Sequence, residues 1–230
     1  MVGSLPAVFV KVCGITNEED ALLAVAMGAD AVGFVFAPSP RQIAPQRAAD
    51  IVTRLPREIV TVGVFRDETR ARVVEIAHSA KLRAVQLHGH ESPADTHWIR
   101  QRISLIIKAF AAGDPQLDRA DEYAADAILV DSARPGSGEV FDWSLAEGAP
   151  SNRRIILAGG LTPTNVADAV RVVRPWGVDV STGVESAPGR KDASKIRAFV
   201  EAAKAAEAPA PPEQGDRDVR PFDWMVDERP

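Results

Sequence analysis

Short apolar runs recur along the 230-residue chain, each followed by a longer stretch with helical spacing. They cover residues 8–13, 31–36, 59–65, 84–88, 104–110, 127–131, 154–158 and 177–181. Most are apolar throughout instead of alternating, the pattern of strands covered on both faces, as in a parallel sheet. Helices are predicted over 17–27, 46–55, 68–80, 93–102, 116–124, 142–147, 163–174 and 192–206. Asn17 is a candidate N-cap with acidic residues in the turn behind it, and Gly28 a candidate stop. Thr162 is the expected N-cap of the helix over 163–174, with Pro163 at its first position.

Eight β-then-α units within about two hundred residues predict an α/β protein: a single (β/α)8 TIM barrel over residues 1–206. A doubly wound open sheet is the alternative, but no Gly-x-Gly-x-x-Gly follows the first strand. Residues 207–230 are set apart as a Pro/Ala-rich C-terminal extension, with a linker-like composition ahead of a small apolar island, Phe222-Asp223-Trp224-Met225-Val226. This tail is expected either to be disordered or to dock on its own barrel or on a partner.

Composition narrows the function. A formal net charge of −5 argues against nucleic acid as a partner. No apolar stretch is long enough to span a bilayer, so no membrane partner is expected. A single cysteine forms no internal disulfide, and the N-terminus lacks the layout of a secretory signal, so a cytoplasmic location is expected. His78, His88, His90 and His97 lack zinc-like spacing, and no metal is expected.

In a barrel of this kind the chemistry lies at the C-terminal ends of the strands. The first strand ends on Cys13, and a thiol works as a nucleophile or base only as thiolate, against an ordinary pKa of about 8.5. By itself a lone cysteine reads as a small buried hydrophobe. The sixth strand, however, ends on Asp131, a carboxylate that is costly to bury unpaired. Arg41 follows the second strand and suits a carboxylate or phosphate. His88 ends the fourth. Glycine-bearing turns follow the seventh and eighth strands, at Gly159-Gly160 and Ser181-Thr182-Gly183, where barrels frequently bind phosphate. These positions predict a small phosphorylated substrate, with Cys13 and Asp131 as an acid/base pair across the barrel mouth and no cofactor.

The ordered motifs resemble phosphoribosylanthranilate isomerases of tryptophan biosynthesis. They are Lys-Val-Cys-Gly-Ile-Thr at 11–16, Gly-Ala-Asp-Ala-Val-Gly-Phe-Val-Phe at 28–36, Ser-Pro-Arg at 39–41, Val-Gly-Val-Phe at 62–65 and Val-Gln-Leu-His-Gly at 85–89. Phe-Asp-Trp at 141–143, Leu-Ala-Gly-Gly-Leu at 157–161, Val-Asp-Val-Ser-Thr-Gly-Val-Glu-Ser at 178–186 and Pro-Gly-Arg-Lys-Asp at 188–192 complete the set.

The resemblance implies an Amadori rearrangement of N-(5-phosphoribosyl)anthranilate. In it Asp131 is the general acid and Cys13 the general base, and Arg41 holds the anthranilate carboxylate. Gly159, Gly160, Ser181, Thr182 and Gly183 hold the phosphate, and His88 lines the pocket. It covers monomers and homodimers alike. The chain departs from the family pattern at 134–140, where the loop after the sixth strand is shorter and carries Pro135 at a glycine position. An isomerase of the analogous histidine-pathway aminoaldose would call for paired carboxylates on the first and sixth strands, and Cys13 argues against it. A non-catalytic barrel that binds through residues 222–226 is opposed by the intact set Cys13, Arg41 and Asp131.

Overall fold

The computed structural model describes residues 8–132 and 153–206. Among these residues a closed parallel barrel runs in the order β1 (Phe9–Cys13), β2 (Ala31–Val35), β3 (Val60–Phe65), β4 (Ala84–Leu87), β5 (Leu105–Ala111), β6 (Ala127–Asp131), β7 (Arg154–Leu157) and β8 (Gly177–Val180). The last strand pairs with the first, Lys11 opposite Asp179. Helices α1 (Glu18–Ala26), α2 (Pro45–Val52), α3 (Arg70–Ser79), α4 (Pro93–Arg100), α5 (Val166–Val173) and α6 (Ala193–Ala205) cover its outside. The barrel read from the sequence is the barrel observed. The expected helix over 142–147, the loop 134–140, the Phe141-Asp142-Trp143 motif and the tail 207–230 lie outside the described residues.

The near-continuous apolarity of the strands follows from two separate burials. Side chains alternate across a strand, and in β1 Phe9 packs into the lumen while Val10 and Val12 pack under the helices. The lumen is filled by small and branched residues, including Val60, Val62, Leu105, Ile107, Leu129 and Ile156. Phe9 stacks on Trp176 at 4.5 Å between ring centroids and closes the floor. The other end is left to polar side chains, and it is the end where every strand stops.

Most helices begin where a side chain satisfies a free backbone N–H. Asn17 accepts from the Asp20 amide at 2.8 Å, and Ser92 from Asp95 at 3.1 Å. Asp192 accepts from Ser194 and Lys195. Thr69 caps α3, which therefore starts at Arg70 and not at residue 68.

Two predicted helices differ in kind or extent. The segment predicted as a helix over 116–124 is 3-10 in character over Pro115–Tyr123 and is broken by a kink at Arg119 (φ −107°, ψ 17°). Its buried residues Leu117, Ala120 and Tyr123 recur every three positions, matching three residues per turn. After β7, Thr162 does not cap a helix beginning at Pro163. Asn165 accepts from the Thr162 amide at 2.7 Å and donates to the Gly160 carbonyl at 3.0 Å, which holds residues 161–165 as a loop and delays α5 to Val166. Past β8 the chain forms a 3-10 turn, Thr182–Val184, and a small antiparallel hairpin that the apolar pattern did not predict, β9 (Glu185–Ala187) with β10 (Arg190–Lys191).

Candidate active site

The C-terminal ends of β6, β7 and β8 surround a cavity of about 380 Å³. Asp131, Gly159, Gly160, Leu161, Thr162, Asp179, Ser181, Thr182 and Gly183 are among its lining residues. Six of the nine residues expected from sequence therefore meet in one place. Close packing explains the glycines. Gly159 and Gly160 have φ of +83° and +66°, which side-chain-bearing residues rarely adopt. At Gly183 a Cβ would lie 1.9 Å from the Leu161 carbonyl oxygen, so the turns after β7 and β8 touch backbone to backbone.

Asp131 is buried at the end of β6, and its Oδ1 accepts from the Ser132 amide at 2.7 Å. His88 reaches it from the end of β4, with Nε2 at 3.3 Å from Oδ2. The Gln86 amide nitrogen stands 2.9 Å from His88 Nδ1. If that amide donates, Nδ1 is the acceptor and the imidazole proton sits on Nε2, facing Asp131.

Cys13 ends β1, 8 % exposed and free. Burial pushes its thiol above the ordinary value, and the nearby Asp179 carboxylate adds to that, while Lys11 and Lys191 oppose it. Gly14 follows with φ +77°, turning the chain so that Arg41 lies over it; a Cβ there would be 2.5 Å from Arg41 Cδ.

Arg41 is not idle. Its Nε and Nη2 each donate to Glu185 at 2.7 Å, and this bidentate bond raises its pKa. Glu185 also accepts from Lys191 at 3.0 Å. Burial pushes the Glu185 carboxyl up, but Arg41 and Lys191 outweigh burial and hold it below its ordinary range. Lys191 is itself depressed, chiefly by burial.

Sequence reasoning missed four residues here: Lys11, Asp179, Glu185 and Lys191. Three of them lie within the quoted motifs 11–16 and 178–186, and the fourth in 188–192. The one signal for Lys11 was a cation inside an apolar strand, two residues before the thiol. Their partners were invisible, since the Lys11–Asp179 pair spans 168 positions and the Arg41–Glu185 pair 144. Among the described residues no His, Cys, Asp and Glu cluster could hold a metal ion, and no helix is long and apolar enough to cross a membrane.

Comparison with known proteins agrees with this geometry. A family model described as N-(5'phosphoribosyl)anthranilate (PRA) isomerase matches residues 10–202. The N-(5'-phosphoribosyl)anthranilate isomerase of Pelobacter propionicus is 49% identical over 201 residues, covering 85% of this chain and 95% of that protein. Its counterpart in Desulforudis audaxviator is 50% identical over 204 residues, covering 86% and 98%. A crystal structure of a phosphoribosyl anthranilate isomerase in complex with reduced 1-(o-carboxyphenylamino)-1-deoxyribulose 5-phosphate superimposes with a TM-score of 0.77 at 46% identity. It covers 86% of this chain and 98% of that one. The closed barrel, the acid-and-thiol rim and the match over residues 10–202 together establish that this chain belongs to the N-(5'-phosphoribosyl)anthranilate isomerase family.

Proposed function

We propose that Cys13 and Asp131 carry the family's reaction here, the Amadori rearrangement of N-(5-phosphoribosyl)anthranilate in tryptophan biosynthesis, as general base and general acid. The observation that carries this reading is the cavity itself. Asp131 shares it with the two glycine turns, while Cys13 closes the first strand of the same barrel end.

The two proton transfers fall to different strands. Asp131, protonated, delivers a proton to the furanose ring oxygen. The C1'–O bond breaks as the anilino nitrogen forms a C1'=N Schiff base. The Cys13 thiolate then takes the C2' proton. The C–H electron pair becomes C1'=C2', and the C=N pair returns to nitrogen, giving an enolamine. Tautomerisation to the ketone completes the change. The ring oxygen and C1' each gain a proton, and C2' and its hydroxyl each lose one. Backbone groups of Gly159, Gly160, Ser181, Thr182 and Gly183 hold the phosphate. Arg41 offers Nη1 to the anthranilate carboxylate, its other edge being occupied by Glu185. His88 does not line the cavity and supports Asp131 from beside it, Nε2 lying 3.3 Å from Oδ2.

The test is steady-state turnover of N-(5-phosphoribosyl)anthranilate, followed by chromatography of the product. Cys13→Ala and Asp131→Asn are each expected to lower kcat by about 10²–10⁴, the usual worth of general acid or base catalysis. Near-normal turnover by Cys13→Ala would overturn the assignment.

A further inference from the structure

Among the described residues Lys11 has an unexpected environment for a cation. Its side chain is fully buried, on the lumen-facing side of β1 between Phe9 and Cys13. Its Nζ donates to Asp179 Oδ1 at 3.0 Å, from the strand that closes the barrel against β1. A buried ion pair is weak evidence for stability, because well-packed apolar residues of similar volume often serve as well. Its location offers another reason. Gly33 stands opposite Cys13 in the β1–β2 pairing. A Cβ on Gly33 would lie 2.8 Å from Cys13 Sγ and 3.2 Å from Lys11 Nζ. Thiol and ammonium thus crowd the same notch, which exists only because β2 carries no side chain there.

We infer that Lys11, anchored by Asp179 across the Gly33 notch, is a positioning residue that compensates the Cys13 thiolate while it acts as base. The inference rests on Cys13 being the base. Lys11 keeps its proton throughout: the substrate C2'–H bond breaks, the S–H bond forms, and the ammonium supplies only charge. Burial works to lower Lys11, but Asp179 and the cysteine outweigh it and keep the ammonium firmly protonated. The other charged groups facing Cys13 are Asp179 from β8, Lys191 from β10 and Arg41 from the loop after β2. Arg41 and Lys191 are both bound to Glu185, which offsets their charge. Lys11 shares only Asp179.

The chain's single cysteine allows a direct test. The rate of iodoacetamide alkylation against pH titrates Cys13 alone. Lys11→Met is expected to move the titration midpoint upward and to slow alkylation at pH 7 by at least about tenfold, one pH unit being tenfold in thiolate. kcat should fall with it while KM holds, and the deficit should narrow as pH rises. Asp179→Asn should move the midpoint the opposite way, because its carboxylate raises the thiol. A merely structural pair would leave the kcat deficit independent of pH. If Lys11→Met does not fold, Lys11→Met/Asp179→Asn strands no charge and is compared with Asp179→Asn, the double variant titrating higher. An unmoved midpoint in the folded variants, or shifts of one sign, overturns the inference. Retained turnover in Cys13→Ala instead overturns the assignment of the base, and the two failures are separable.

Discussion

Gly183→Ala tests the proposed anion cradle, and its consequence follows from how closely the two turns approach. The new Cβ would stand 1.9 Å from the Leu161 carbonyl oxygen, 3.0 Å from its carbon and 3.1 Å from Thr162 Cα. All three are backbone atoms, so no side chain can swing away. Ordinary contact therefore requires the turns after β7 and β8 to separate by more than about 1 Å, the scale on which misplaced binding groups cost about 10²-fold. Overpacking of this kind typically costs about 1–3 kcal/mol of stability. In a chain of this size each kcal/mol is worth about 2–4 °C in Tm. The phosphate would lose at least one charge-assisted hydrogen bond, worth about 1.5–3 kcal/mol, so KM should rise about 10- to 150-fold. Calorimetry measures the first effect and initial rates over a range of substrate the second. A Gly183→Ala protein with unchanged Tm and unchanged KM would refute both the close packing and the cradle.

Further predictions concern charges near the rim. Glu91 accepts from the Asp67 and Gly89 amides and pairs with buried Lys108 at 2.9 Å, clamping the loop that carries His88. Glu91→Gln leaves that ammonium uncompensated, and breaking such a pair costs about 3–5 kcal/mol. The expected fall in Tm is roughly 6–20 °C, and adding Lys108→Met should recover much of it. An unchanged melt in the single variant would count against the clamp. The depressed Glu185 carboxyl makes a pH prediction. Its folded pKa lies below the ordinary 4.5, so its contribution is fully present above that value and is lost as pH falls through the folded pKa. Tm measured from pH 6 down to pH 3 should therefore drop more steeply in the wild type than in Glu185→Gln, whereas parallel curves would contradict the assignment.

Local chemistry made much of the fold legible. Strands β1 to β8 could be read because their residues are buried on both faces, so apolar side chains fill lumen-facing and helix-facing positions alike. The cap at Asn17 acts within three residues and was readable for that reason, whereas Asp192, read as the first residue of the last helix, is its cap. The start of α5 was misread because Asn165, inside the predicted helix, bonds backward to Gly160 and Thr162. Propensity alone made Thr162 and Pro163 the better start. The connection over Pro115–Tyr123 was misread in kind, since a period of three and one of 3.6 barely diverge over so few buried positions.

The sequence by itself determined the barrel, the strand ends, and the residue types at the rim: Cys13, Asp131, His88, Arg41 and the glycine turns. These follow from periodicity and from the fact that the C-terminal ends of a parallel barrel's strands all lie at one mouth. Only the tertiary structure decided how the charges are spent. Barrel closure brings Asp179 of β8 beside Lys11 of β1, and the hairpin after β8 carries Glu185 onto Arg41. Electrostatic partnership acts through space over a few ångströms, whatever the separation along the chain. The environment of the Cys13 thiol therefore became readable only when the first strand met the last.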